Sequence, residues 1–285
     1  MIDSFTYFNE TDLFFLRVEY LSPYVDHFVI VELDTTFSLL QHNQMFSRVY
    51  KQLPEDIKRK IVYEFINVES SIRDYNGEAG DVEFKNQSRN IDHIMRNSKA
   101  RLIKQIGHPS EYMFMSDIDE IWDVSKLYQA KHLIDQHAKM GWMQDMRSAF
   151  IDWRNPVAQW VGTKGTTVGW LPEENVTGNF YMSKGKCVGH YADKTLVGGW
   201  HLTMMGNQQA KAEAIAAKRE TPGWEKKLNL TSDEIASGMM NNKFNSVVKK
   251  GKMRVEKVEP CAGLTEEFYK IAKRFPNLWS GDLTP

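Results

Sequence analysis

The run Phe28-Val-Ile-Val-Glu32 limits what this chain can fold into more than any other feature. Consecutive apolar, mostly β-branched residues leave no polar face for water. A strand built from them therefore needs cover on both sides, as in a parallel sheet flanked by helices. Glu32, at its end, is expected to emerge at the sheet edge and face a crevice.

The neighbouring spacing agrees with that layout. Ile2 to Phe8 reads as a strand, and Asn9, Glu10 and Thr11 offer capping chemistry before Leu13, Leu16, Tyr20 and Leu21 mark one helical face. Ile61 to Val68 reads as a third strand. Phe84 to Ile106 carries Ile91, Ile94, Met95, Leu102 and Ile106 at helical spacing, and Gly107 and Pro109 stop it. Tyr112-Met-Phe-Met115 is the next strand, and Val124 to Lys139 resumes helical spacing.

From Trp142 to Thr203 the pattern changes to short aromatic-rich strands broken by Gly, Pro and Asn, which suits mixed or antiparallel sheet. Gln208 to Glu220 is Ala-rich and helical by propensity, and Pro222-Gly223 ends it. Further helices are expected around Ser232 to Met240 and Leu264 to Phe275. The expected fold is thus α/β, one domain over residues 1–222 with a mixed central sheet flanked by helices, followed by a helical and basic C-terminal appendage over 223–285.

With 285 residues and 42% apolar content, the chain can bury a full core without long disorder. Its formal net charge of −1 gives no global field toward nucleic acid or anionic lipid. Cys187 and Cys261 form no CxxC pair, so neither a redox motif nor a Cys-based zinc site is indicated. The start lacks the features of a signal peptide and no stretch suits a membrane span, so a cytoplasmic location is expected. The Asn-x-Ser/Thr sites at Asn9, Asn86, Asn175 and Asn229 are then coincidental.

The chemistry gathers at Asp117-Ile-Asp119-Glu120, directly after an apolar strand. Carboxylates two residues apart on extended chain point the same way, and the crevice beyond strand carboxyl ends is where ligands bind in open α/β sheets. Hard oxygen ligands suit Mg²⁺ or Mn²⁺ with bound phosphates. Asp-x-Asp alone also serves as a helix cap. An EF-hand fails, because the loop position that needs glycine is Trp122.

Several motifs in one order resemble glycosyltransferase family 17, the family of the β-1,4-mannosyl-glycoprotein β-1,4-N-acetylglucosaminyltransferase. They are Asp3-Ser-Phe-Thr-Tyr-Phe-Asn-Glu10 with Leu13 and Arg17, Val25-Asp-His-Phe-Val-Ile-Val-Glu32 with Thr36-Phe37, Glu83 with Arg89-Asn90, Met115-Ser-Asp-Ile-Asp-Glu-Ile121, and Gly198-Gly-Trp-His201. The resemblance spans roughly the first 220 residues.

It implies a GT-A-like fold with a nucleotide-sugar half over 1–140 and an acceptor half over 141–222. It also implies a nucleoside-diphosphate sugar donor (UDP-N-acetylglucosamine in known members), divalent metal dependence and inversion at the anomeric carbon. Asp119 is the first-choice metal ligand, with Asp117 directed at ribose or metal-bound water and His201 at the ion or phosphate. Arg89 would grip the diphosphate or orient a carboxylate. Glu32, ahead of Glu10, would read the nucleotide or acceptor.

For the general base, no local motif decides among Glu120, Asp145, Asp152 and Glu220; Asp152 is preferred because it follows the strand-like Ser148 to Ile151. The chain departs from the family after Gly-Gly-Trp-His, with Ile215-Ala-Ala-Lys218 replacing a Ser-Phe-Ala-His-type stretch, which implies an altered donor or acceptor contact. Lys249, Lys250, Lys252, Arg254 and Lys257 form a basic stretch that suits a polyanionic acceptor or a solvated face.

The expected activity is transfer to a bacterial or phage-type cytosolic acceptor: a saccharide precursor, a small molecule, or a modified base in phage DNA. The alternative is a catalytically silent module that binds nucleotide sugars or glycans. A metal-dependent phosphoesterase would need more grouped Asp and His ligands than the single acidic cluster supplies.

Overall fold

A computed structural model describes residues 1–69, 82–172, 194–218, 225, 230–240 and 255–281, without the side chains of 157–159. Strands β1 (Ile2–Thr6), β2 (His27–Leu33), β3 (Ile61–Ile66) and β4 (Tyr112–Met115) pair in parallel in the order β3-β2-β1-β4. Alternate residues of β2 serve opposite faces, as the uninterrupted apolar run requires. Phe28 and Ile30 join a core with Leu13, Leu16 and Leu21 of helix α1 (Thr11–Leu21). Val29 and Val31 join a second core with Ile91, Met95 and Ile103 of a long helix (Val82–Ile106). Between α1 and that helix lie α2 (Phe46–Tyr50) and α3 (Glu55–Lys58), so the long helix is α4.

After the short β5 (Glu120–Ile121), a 3-10 turn at Val124–Lys126 leads into α5 (Leu127–His137). Asp123 caps this turn by accepting from the Ser125 amide at 2.9 Å. The helix ends at Ala138, which takes a left-handed φ of 64°, and Lys139 already belongs to the next strand.

The second half of the sheet differs from the expected short strands. β6 (Lys139–Ser148), β7 (Trp153–Thr167) and β8 (Thr195–Thr203) are long, and β7 runs for 15 residues. Register shifts between Gly141 and Met143 and between Asp145 and Arg147 absorb the local irregularity, so the ladder continues where the sequence pattern suggests breaks. The full order is β3-β2-β1-β4-β7-β6-β8-β5, with β7 antiparallel to both neighbours and β6 parallel to β8. The expected α/β architecture, a mixed central sheet flanked by helices, is what the chain adopts.

The described part of the C-terminal segment is built into this body. β9 (Glu256–Lys257) pairs with β7. Beyond α6 (Gln208–Ala216) and α7 (Ser232–Met240), helix α8 (Glu266–Ala272) stacks Phe268 on Trp200 at 3.8 Å, and Leu278 and Trp279 enter the same core. Cys187, Glu220, Pro222-Gly223 and basic residues Lys249 to Arg254 lie outside the described residues. No described helix is long and apolar enough to cross a membrane.

Under α6 and α7 a third core holds Phe150, Met204, Ile215 and Ile235. Fully buried Lys211 enters it, donating to the Gly206 carbonyl with its ammonium 4.1 Å from the Phe150 ring centre. Burial lowers its pKa from 10.5 to about 7. Between those values the unfolded chain holds a proton that the folded chain has lost, so this group raises stability as pH rises from about 7 to 10.5. Lys211→Met should therefore show a flatter rise in unfolding free energy over that window than the wild type, measured by urea denaturation at several pH values. Parallel curves would remove Lys211 from the pH dependence.

Candidate functional site

The site grows from one buried ion pair. Arg17 stands on the inward face of α1 and grips Asp3 of β1 with Nε and Nη2, both at 2.8 Å. Both side chains have no exposure. The remaining donor capacity goes to the segment after β4: Nη1 reaches the carbonyls of Asp117, Ile118 and Glu120 at 3.0, 3.1 and 3.0 Å, and Nη2 reaches Ser116 Oγ at 2.6 Å. From the opposite side, buried Lys99 of α4 donates to the Ser116 carbonyl at 2.9 Å. Burial brings that ammonium down to about 8, against the charge of Asp117. The loop that carries the carboxylates is thus fixed through its backbone.

Glycines allow the second half of the sheet to meet this loop. Gly199 takes φ +82°, and a Cβ there would lie 2.4 Å from the Ile121 carbonyl, so β8 can approach β5 only with glycine at this position. Two residues later His201 pairs across from Glu120. Its Nε2 lies 3.3 Å from Asp119 Oδ2, and its ring stacks on Trp160 at 4.7 Å. Its Nδ1 is buried without a hydrogen-bond partner among the described residues.

Asp117 and Asp119 line a cleft of about 150 Å³ at the carboxyl ends of β1 and β2. Its lining comes from the end of β1 and the segment after it (Thr6, Tyr7, Phe8 and Glu10), from the segment after β2 (Thr35 to Phe37), from Ile91 and Met95 of α4, and from Ala214, Ala217 and Lys218 around the end of α6. Glu10 holds its Oε2 on the amides of Phe8 and Asn9 at 3.0 and 3.1 Å. Burial raises its pKa above the ordinary carboxyl range; the two amides oppose the rise and the charge of Asp119 adds to it.

Other expected site residues have different places. Glu32 does not face the crevice: it is fully buried and accepts from the Met45 and Phe46 amides and the Tyr63 hydroxyl at 2.6, 3.1 and 2.6 Å, with His42 at 3.0 Å. That carboxylate holds the segment after β2, so Glu10, and not Glu32, is the glutamate in the cleft. Glu120 turns inward behind the loop, accepting from the Asp117 amide at 3.0 Å and the Trp160 indole at 2.6 Å. Burial, then Asp117 and Asp119, raise its pKa, while His201 opposes the rise. A Cβ on Gly162 would lie 2.8 Å from the Glu120 carboxyl carbon, which shows how closely β7 packs on it.

Asp152 is 3% exposed and ties down the C-terminal segment by accepting from the Ser280 amide at 3.0 Å and from its hydroxyl. It does not line the cleft, because it sits in the β6–β7 connection, and the strand preceding it runs past the site. Asp145 pairs with Arg147 and Arg154. Arg89 is exposed on α4 and is not among the residues lining the cleft.

Two contributors were missed by sequence reasoning. Arg17 enters the sequence reading only as part of a motif, although a charge at helical spacing with Leu13 and Leu21, matched by Asp3 in an apolar strand, is a legible sign of a buried pair. Lys218 stands in the sequence only as a departure from the family pattern; it is the cation among the described residues lining the cleft.

Residues 1–141 match the model of glycosyltransferase family 17, and Gly198-Gly-Trp-His201 lies beyond the matched segment. No curated protein matches the chain. Among solved structures, the galactosyltransferase LgtC with donor and acceptor sugar analogs is 13% identical over 95% of this chain and 100% of that chain, with a TM-score of 0.34. An active-site mutant of LgtC is 12% identical over 69% of this chain and 66% of that chain, also at 0.34. A fragment of S. aureus TarS is 12% identical over 98% and 82%, at 0.35. TM-scores of this size do not establish a shared fold.

Removing the guanidinium would leave Asp3 buried without its partner, a change that costs about 3–5 kcal/mol. Arg17→Ala should lower unfolding free energy by that order in guanidinium denaturation. A loss under about 1 kcal/mol would show that the pair does not hold the loop.

Proposed function

We propose that the chain is a metal-dependent glycosyltransferase that moves a sugar from a nucleoside-diphosphate sugar, with a donor of the UDP-N-acetylglucosamine type, to a saccharide or small-molecule acceptor. The observation that carries this reading is Asp119 facing His201 at 3.3 Å beside a cleft at the carboxyl ends of parallel strands. The family match over residues 1–141 supplies the reaction class.

Asp119 and His201 are the residues that would hold Mn²⁺ or Mg²⁺. Among the described residues no three His, Cys, Asp or Glu side chains form a complete metal site. Two protein ligands fit an ion that takes its remaining ligands from water and substrate phosphates, as Mg²⁺ commonly does. Nε2 is the imidazole nitrogen that faces Asp119, so it is the atom that would reach a shared ion. Such an ion would neutralise charge on the departing diphosphate.

The protein's own groups carry the rest. Arg17 and Lys99 hold the Asp117–Glu120 backbone in place, so the charged side chains need no reorganisation when the donor arrives. Lys218 supplies positive charge to the same cleft and would favour the diphosphate over a neutral sugar. The transfer inverts the anomeric carbon, as the family resemblance implies, and proceeds in one displacement that needs one base.

Release of nucleoside diphosphate from a panel of nucleotide sugars with Mn²⁺ tests the proposal. The wild type should turn over one donor, and Asp119→Ala should lower that rate at least about 100-fold, the order expected when charge stabilisation at a reacting centre is lost. Its unfolding temperature should stay close to wild type, since Asp119 is not core. Full activity in Asp119→Ala would remove this residue from the mechanism, and donor binding without release by the wild type would identify a silent binding module.

A further inference from the structure

Next to the cleft containing Asp119 lies a second and larger one, of about 340 Å³. The start of α1, the β8–α6 turn with the first turns of α6, and the Asn277-Leu278 stretch form its walls. The two clefts share one residue, Glu10. The carboxyl at this junction also feels the charge of Asp119, which places it between the proposed donor site and the second cleft.

The lining chemistry is distinctive. Asn9, Asp12, Asn207, Gln209, Glu213 and Asn277 present amides and carboxylates, and no Lys, Arg or His lines this cleft among the described residues. Its walls are tied by polar contacts, Asn9 to Glu213 and Asn277 to Asp12. Amide and carboxylate groups that donate and accept in close alternation match the hydroxyls of a sugar. Three carboxylates without a lining cation repel phosphate and other anions. The first cleft, with Lys218, has the opposite bias.

We propose that this second cleft is the acceptor site, that it takes an uncharged, hydroxyl-rich acceptor, and that Glu10 is the base that receives the acceptor's proton. This rests on the transferase reading given above. In the step, the acceptor oxygen bonds to the anomeric carbon as the bond from that carbon to the diphosphate oxygen breaks. The electron pair of the broken bond leaves on the diphosphate, and the hydroxyl proton passes to Glu10. The amides of Phe8 and Asn9 hold the carboxyl in place through Oε2. A polyanionic acceptor such as DNA does not fit a cleft of this charge.

The test uses the full chain and the nucleotide sugar that raises the wild-type unfolding temperature with Mn²⁺. Methyl glycosides of hexoses and N-acetylhexosamines serve as uncharged acceptors, and the matching sugar phosphates as charged ones. The wild type should use a glycoside at least about tenfold better, in kcat/KM, than its phosphate, a factor that corresponds to about 1.4 kcal/mol of discrimination. Glu10→Gln should lower kcat at least about 100-fold, the usual contribution of a general base, while KM for the glycoside and donor-dependent stabilisation stay near wild type. Gln209→Trp, which fills the cleft, should raise KM for the glycoside and leave donor-dependent stabilisation intact.

Transfer by Glu10→Gln at the wild-type rate, equal use of sugar phosphates, or transfer to none of the glycosides would overturn the assignment. Absence of any donor-dependent stabilisation in the wild type would instead sink the transferase reading itself, and this assignment with it.

Discussion

A guanidinium buried without exposure costs several kcal/mol to desolvate unless its donors find acceptors. Arg17 meets that demand with six hydrogen bonds, and the partners it needs define the site. Two go to Asp3 and tie α1 to the middle of the parallel sheet. Four go to the segment between Ser116 and Glu120. The Trp122 indole adds a further bond to Asp3 at 3.1 Å, so the helix, the strand and both ends of the loop share one charged centre. The loop cannot shift without exposing that centre, which is how a surface-facing pair of aspartates comes to sit on a rigid base.

The acidic residues around the loop divide by environment. Glu120, Glu32 and Asp152 look alike in sequence, each beside or at the end of a strand. Each one is buried and accepts from named donors, and each fixes a piece of backbone or packs a neighbouring strand. Asp117, Asp119 and Glu10 remain at the cleft. An ionised carboxylate is tolerated in a core only when donors surround it, which fixes Glu32, Glu120 and Asp152 to backbone and neighbouring strands, whereas Glu10, though held by two amides, lines the cleft.

Much of the fold was legible in the sequence. The β2 run demanded cover on two faces and received it, and the long spacing pattern of α4 and the strand before Asp117 stand where periodicity put them. The acceptor half was less legible because its strands continue through register shifts that no local pattern encodes. At the site, motif order puts Asp117, Asp119 and His201 together in the sequence reading, and the structure brings His201 within 3.3 Å of Asp119. The places of Glu32 and Asp152 were not legible, because their partners Tyr63 and Ser280 are 31 and 128 residues distant. Lys218 shows the same limit from the other side: the end of α6 is tied to the segment after β2 by Ser38, whose amide and hydroxyl donate to the Ala217 and Ala216 carbonyls, a contact between residues far apart in the chain.

The central claim is that this loop and cleft bind a nucleoside-diphosphate sugar together with a divalent cation. The most direct measurement is the unfolding temperature of the wild-type chain against a panel of nucleotide sugars, with and without Mn²⁺. A ligand that binds only the folded chain stabilises it by about 2.7 kcal/mol at one hundred times its dissociation constant. The account predicts such stabilisation for one donor, dependent on Mn²⁺ and lost in Asp119→Ala. No stabilisation by any nucleotide sugar under saturating metal would contradict it.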